Sequence, residues 1–126
     1  MVGIVIVSHS RSLADSVVEY TKVMAGSAPV AAAGGMDDGG FGTSFDKITK
    51  AVESVHSDDG VIVLMDMGSA VMTAEVVIET LGYADVSMAD CPLVEGAVVA
   101  TIDSQGGMKR EAILEALKKV GATKKF

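Results

Sequence analysis

Apolar and polar positions along the chain fall into alternating short runs and longer amphipathic stretches. Residues 2–7, VGIVIV, are an unbroken, mostly β-branched run, the pattern of a central parallel strand buried on both faces. Ser10 or Ser12 can cap a first helix reaching about Met24, with Leu13, Val17, Tyr20 and Met24 predicted inward at helical spacing. Ala28–Ala33 reads as a weaker second strand that opens into the glycine-rich stretch GGMDDGGFG, Gly34–Gly42. Thr43 or Ser44 caps a second helix with Ile48, Val52 and Val55 inward. GVIVLMD, residues 60–66, is the third strand. Helix three follows at once, with Ala70, Met72, Val76, Val77, Ile78 and Leu81 as its apolar set and Gly82 as its stop. Residues 85–90 form a short fourth strand ended by Pro92. Beyond it VEGAVVATIDS is apolar nearly all round, and KREAILEALKKV is amphipathic with Ile113, Leu117 and Val120 inward.

Strands alternating with helices imply parallel pairing through right-handed crossovers. The fold class predicted is α/β: an open, mainly parallel four-stranded sheet in the order 2-1-3-4, with helices on both faces. A length of 126 residues suits a single domain over 1–126. In that order strands one and three are neighbours at the point where the winding reverses, and open α/β sheets place ligands there, beyond the carboxyl ends of the strands. His9 lies just past strand one and Asp66 at the end of strand three, so the topology brings them to one crevice.

Composition narrows the partners. A net charge of −7 argues against nucleic acid or an anionic membrane as the main one. The single cysteine, Cys91, leaves no internal disulfide, in keeping with a reducing cytoplasm. The opening apolar run has no basic segment ahead of it and ends in Ser-His-Ser-Arg, unlike a signal peptide. No apolar stretch approaches the roughly 18 residues of a membrane span. A soluble, cytoplasmic protein is expected.

At the switch point each part has a chemical use. A carboxylate on one ring nitrogen of His9 fixes tautomer and orientation and leaves the other nitrogen's lone pair free to attack. The starts of helices one and three offer unpaired N–H groups and positive dipole ends. The hydroxyls of Ser8, Ser10 and Ser69 and the Gly68–Ser69 turn are candidate phosphate ligands. A nucleophilic imidazole nitrogen among anion-binding groups suits reversible phosphorylation, with no metal demanded of this chain. Other arrangements use some of the same residues. Ser69, His9 and Asp66 could form a hydrolase triad, although MDMGSAV is not a GxSxG elbow. A receiver domain phosphorylated on Asp66 would want an acidic pair after strand one, where Ser8-His9 stands. A binding or dimerisation module without chemistry is the plainest possibility. Elsewhere, His56 is expected to be a solvated loop residue at the opposite edge, and Cys91 a small packing residue. The glycine cluster is not a dinucleotide fingerprint; it reads as a loop shaping the site or meeting a partner. Arg11 could neutralise a phosphate or stand exposed.

Four collinear pieces, GIVIVSHS, GG…DGGFGTSFDKI, DMGSA and CPLVEGA, resemble the phosphotransfer subunits of bacterial dihydroxyacetone kinase. These belong with the mannose-type IIA domains of the phosphoenolpyruvate-dependent sugar phosphotransferase system. Met67 stands where leucine is expected in DMGSA. The resemblance implies that His9 takes a phosphoryl group on its ε nitrogen from the phosphocarrier protein HPr, with Asp66 as its orienting partner. It implies transfer to ADP held on the nucleotide-binding subunit, the ATP then phosphorylating dihydroxyacetone on a third subunit. No cofactor is then expected on this chain. Gly68 and Ser69 match the turn that approaches the phosphate, and Glu95–Gly96 the EGA element near the same edge. HPr would be a separate protein. A homodimer is the usual family state, and the apolar character of helix three and GAVVATI fits one. A mannose-type sugar IIA component is the neighbouring alternative.

Overall fold

The computed structural model describes residues 1–126 as four strands and five helices. In chain order these are β1 (Gly3–Ser8), α1 (Arg11–Met24), β2 (Val30–Gly34), α2 (Phe45–Val55) and β3 (Val61–Met65), then α3 (Gly68–Leu81), β4 (Val86–Met88), α4 (Leu93–Gln105) and α5 (Arg110–Ala122). The sheet has the order β2-β1-β3-β4 with every pairing parallel, as the alternation of elements predicts.

Strand periodicity sorts the core into two halves. Along β1, Val5 and Val7 face one side while Ile4 and Ile6, with Val2 just before the strand, face the other. Along β3, Val61 and Val63 are likewise opposed to Ile62 and Leu64. The first face is covered by α2 and α3 through Ile48, Val52, Ala70, Ala74 and Val77. The second is covered by α1, α4 and α5 through Ala14, Val17, Ala97, Ala100, Ile113 and Leu117. A fully buried valine or isoleucine stabilises the fold by about 1.5–3 kcal/mol relative to exposure, and β1 holds four in succession, Ile4–Val7.

Two helix faces differ from the expectation. On α1 the buried residues are Ala14, Val17 and Thr21, whereas Leu13, Tyr20 and Met24 are largely exposed. On α3 they are Ala70, Ala74 and Val77, with Met72 and Val76 pointing outward. For α1 the physical reason is close approach. A Cβ on Gly34 would sit 2.7 Å from the Ala14 Cβ and 2.7 Å from the Ser10 carbonyl oxygen, so β2 and α1 meet through their smallest residues. Large apolar side chains then flank the seam instead of filling it. Caps behave as read: Ser10 and Ser44 accept hydrogen bonds from the Leu13 and Lys47 amides, and Gly82 ends α3 with a left-handed φ of 69°.

His56 lies at the far rim from His9, as expected, yet it is not a solvated loop residue. Its ring stacks on Tyr83, with centroids 4.3 Å apart and planes 9° from parallel, and its Nε2 lies 2.8 Å from Asp85 Oδ1. The pair holds the end of α2 against the segment leading into β4. Asp85 is pulled below the ordinary aspartate range chiefly by that hydrogen bond.

Candidate active site

The register fixes the meeting at the carboxyl rim. Val7 of β1 pairs with Met65 of β3, and Asp66 N–H continues the ladder by donating to the Val7 carbonyl at 3.2 Å. His9 and Asp66 therefore leave adjacent strands at nearly the same height. Their side chains join: His9 Nδ1 is 2.9 Å from Asp66 Oδ1.

Asp66 is the most heavily bonded carboxylate in the chain. Oδ1 accepts from the His9 ring and from Met67 N–H at 2.8 Å; Oδ2 accepts from His9 N–H at 3.0 Å and from Ser8 Oγ at 2.9 Å. Burial alone would raise its pKa, but these bonds, led by the His9 amide and ring, outweigh that and hold it below the ordinary aspartate value. A carboxylate can only accept. The neutral His9 ring consequently carries its proton on Nδ1 and keeps its lone pair on Nε2. That nitrogen faces Ser69, whose hydroxyl donates to it.

The backbone of His9 is held from the other side as well. Gly42 N–H donates to the His9 carbonyl at 2.9 Å, and Thr43 Oγ1 is 2.8 Å from Thr73 Oγ1 of α3. The glycine-rich loop is thus a wall of the site, with Phe41 exposed at its tip. The sequence pattern points to a loop shaping the site but not to this bond, which uses a backbone amide that any residue type possesses.

The two helix starts are unequal. At α1, Ser10 N–H donates to Ser8 Oγ and the Leu13 amide to Ser10 Oγ, so part of its first turn is already satisfied. The α3 start has no side-chain cap, and Gly68 has open space where a Cβ would stand. An anion beside His9 Nε2 would meet the free amides of that turn and the positive end of the α3 dipole.

Of the predicted site residues, His9, Asp66, Gly68 and Ser69 converge. Ser8 and Ser10 differ from the phosphate-binding role expected of them. Ser8 is fully buried, with its hydroxyl donated to Asp66, and Ser10 spends its oxygen on the α1 cap. Arg11 is exposed and turned toward Asp15, at 3.7 Å. Cys91 is half-buried packing, its thiol pushed up to about 11 by burial and then by Asp90 and Glu95. Glu95 pairs with Lys125 at 2.8 Å, while Gly96 gives Cys91 its space, since a Cβ there would lie 2.4 Å from the sulfur. No three His, Cys, Asp or Glu side chains gather into a metal-holding group, and no helix is long and apolar enough to cross a membrane.

Residues 3–118 match the EIIA-man family, described as the PTS system fructose IIA component, and the chain belongs to that family of phosphotransferase-system components. Within it, the chain groups with the phosphoryl donor subunits of phosphoenolpyruvate-dependent dihydroxyacetone kinase. It is 36% identical over 118 residues to the phosphoryl donor subunit DhaM of dihydroxyacetone kinase 1 from Listeria innocua, covering 94% of each chain. It is 40% identical over 121 residues to the corresponding DhaM subunit of Escherichia coli; that match takes in 90% of this chain but spans only 26% of the longer relative. The fold is shared with a mannose/sorbose-specific IIA subunit from Enterococcus faecalis, at a TM-score of 0.59 and 14% identity over 99% of this chain and 94% of that one. Ser69, His9 and Asp66 do line up in the order of a hydrolase triad. These relatives give a hydrolase no support, however.

Proposed function

We propose that this chain is a phosphohistidine carrier that takes a phosphoryl group from phospho-HPr on His9 Nε2. It passes the group to ADP bound on the nucleotide-binding subunit of a dihydroxyacetone kinase. The observation that carries this reading is the His9–Asp66 bond at 2.9 Å on Nδ1, which leaves Nε2 as the outward nucleophile.

In the first step the Nε2 lone pair attacks phosphorus in line, the donor's P–N bond breaks, and its electron pair returns to the donor imidazole. Ser69 Oγ–H must turn from Nε2 for the attack, and then faces the phosphoryl oxygens. Asp66 stabilises the charge that develops on the ring. In the second step an oxygen of the ADP β-phosphate attacks, the His9 P–N bond breaks with its electrons returning to Nε2, and ATP leaves. The names of the relatives, phosphoryl donor subunits of this kinase, support a donor role and the final substrate, dihydroxyacetone, which this chain need not touch. The outward apolar residues of α3, Met72 and Val76, support a homodimer. The cytoplasm is the compartment that fits.

The test is incubation with phosphoenolpyruvate, enzyme I and HPr, followed by intact mass and acid stability. One phosphoryl adduct is expected, acid-labile and base-stable, absent from His9→Ala and present in Ser69→Ala. A base-labile adduct would move the chemistry to Asp66, and no adduct on the folded wild-type protein would end the proposal.

A further inference from the structure

Ser8 is the one fully buried side chain that touches the catalytic pair, and phosphate chemistry cannot use it where it is. Its exposure is 0%, and both sides of its hydroxyl are spoken for. The Ser10 amide donates to Ser8 Oγ at 3.0 Å. With that lone pair engaged, the hydroxyl proton is directed to Asp66 Oδ2, 2.9 Å away. The proton has no competing acceptor, because the Asp66 carboxylate is the sole acceptor to which this hydroxyl is bonded.

The consequence lies one bond further on. Oδ2 is held by Ser8 and by the His9 amide, which sets the plane of the carboxylate and turns Oδ1 onto His9 Nδ1. Oδ1 has only the Met67 amide besides the ring. Without the serine hydroxyl, the carboxylate keeps two backbone bonds that lie on different oxygens and loses the side-chain bond that braces Oδ2 from β1. It is then freer to rotate away from the imidazole. A ring that loses its Nδ1 acceptor redistributes its proton between the two nitrogens, and every molecule protonated on Nε2 has lost its nucleophile.

We propose that Ser8 is a positioning residue: its hydroxyl locks the Asp66 carboxylate so that His9 stays in the tautomer with a free Nε2 lone pair. The part about transfer rests on the phosphohistidine reading above; the part about tautomer does not.

The experiment is nitrogen-15 NMR of the His9 ring in the folded, unphosphorylated protein, at a pH where the ring is neutral, with transfer from phospho-HPr measured on the same samples. Wild type should show one tautomer, with the proton on Nδ1. Ser8→Ala should show a mixture and lose about tenfold in transfer rate, the scale at which outer partners of a working histidine act. Ser8→Thr, which restores a hydroxyl, should recover both readouts. If Ser8→Ala does not fold, Ser8→Cys offers nearly the same shape with a feeble donor, and the mixture should appear there. A wild-type tautomer pattern in folded Ser8→Ala overturns the proposal, as does an unaltered rate beside a shifted tautomer. No adduct on wild type, with the tautomer shift present, would instead remove the phosphohistidine reading and leave the positioning role standing.

Discussion

Asp66 accepts four hydrogen bonds, and one of them, from His9 Nδ1, sets which ring nitrogen keeps its lone pair. Because those bonds favour the charged form, its pKa is lower folded than unfolded, and its contribution to stability has a definite sign. That contribution is fully present above the ordinary aspartate range and is lost as the pH falls through the depressed folded value. Thermal melts of wild type and Asp66→Asn should therefore converge as the pH falls from the ordinary aspartate range through the depressed folded value. A gap that widened as the pH fell through that range would refute the assignment. An asparagine amide can donate toward the ring and invert its tautomer, so phosphoryl transfer by Asp66→Asn should fall by at least about 100-fold.

At the scale of single elements, helix faces here are decided by contact distance more than by hydropathy. Sequence pattern brings out the strands, their order and the caps, because β-branched runs and Ser–x–x spacing act locally. It misplaces the inward faces of α1 and α3; on α1 the cause is a seam built on Gly34 and Ala14 that selects small residues and pushes Leu13 and Tyr20 to its margins. The start of α4 shows the same effect. Gly96 has no room for a Cβ beside Cys91 Sγ, so Gly96→Ala should destabilise by about 1–3 kcal/mol. Cys91→Ala in the same chain should restore part of that loss, and additive denaturation midpoints for the two changes would rule the contact out. The site was legible for the same local reason: His9 and Asp66 end two strong strand signals. Ser8 is misplaced by the pattern because a serine that ends a buried strand looks the same whether its hydroxyl meets a ligand or a carboxylate. The bond from Gly42 was invisible because it belongs to the backbone.

Over the whole molecule, the two rims of the sheet divide the labour. The carboxyl rim holds His9, Asp66 and Ser69, with the uncapped start of α3. The amino rim holds a histidine as well, but His56 is stacked on Tyr83 and bonded to Asp85, so its ring is committed to joining α2 to the approach to β4. A stacked pair and a half-exposed hydrogen bond together amount to about 1–2 kcal/mol. His56→Ala should accordingly lower Tm by about 4–8 °C and leave the rate of phosphoryl transfer within about twofold of wild type. His9→Ala should do the reverse, abolishing transfer while keeping Tm within a few degrees, because its ring hydrogen bonds are made at a half-open rim. Measuring both quantities on both variants tests the separation directly. A transfer defect in His56→Ala, in protein shown to be folded, would mean that the far rim reaches the site through β3, and the sheet could no longer be treated as a scaffold whose chemistry is confined to one edge.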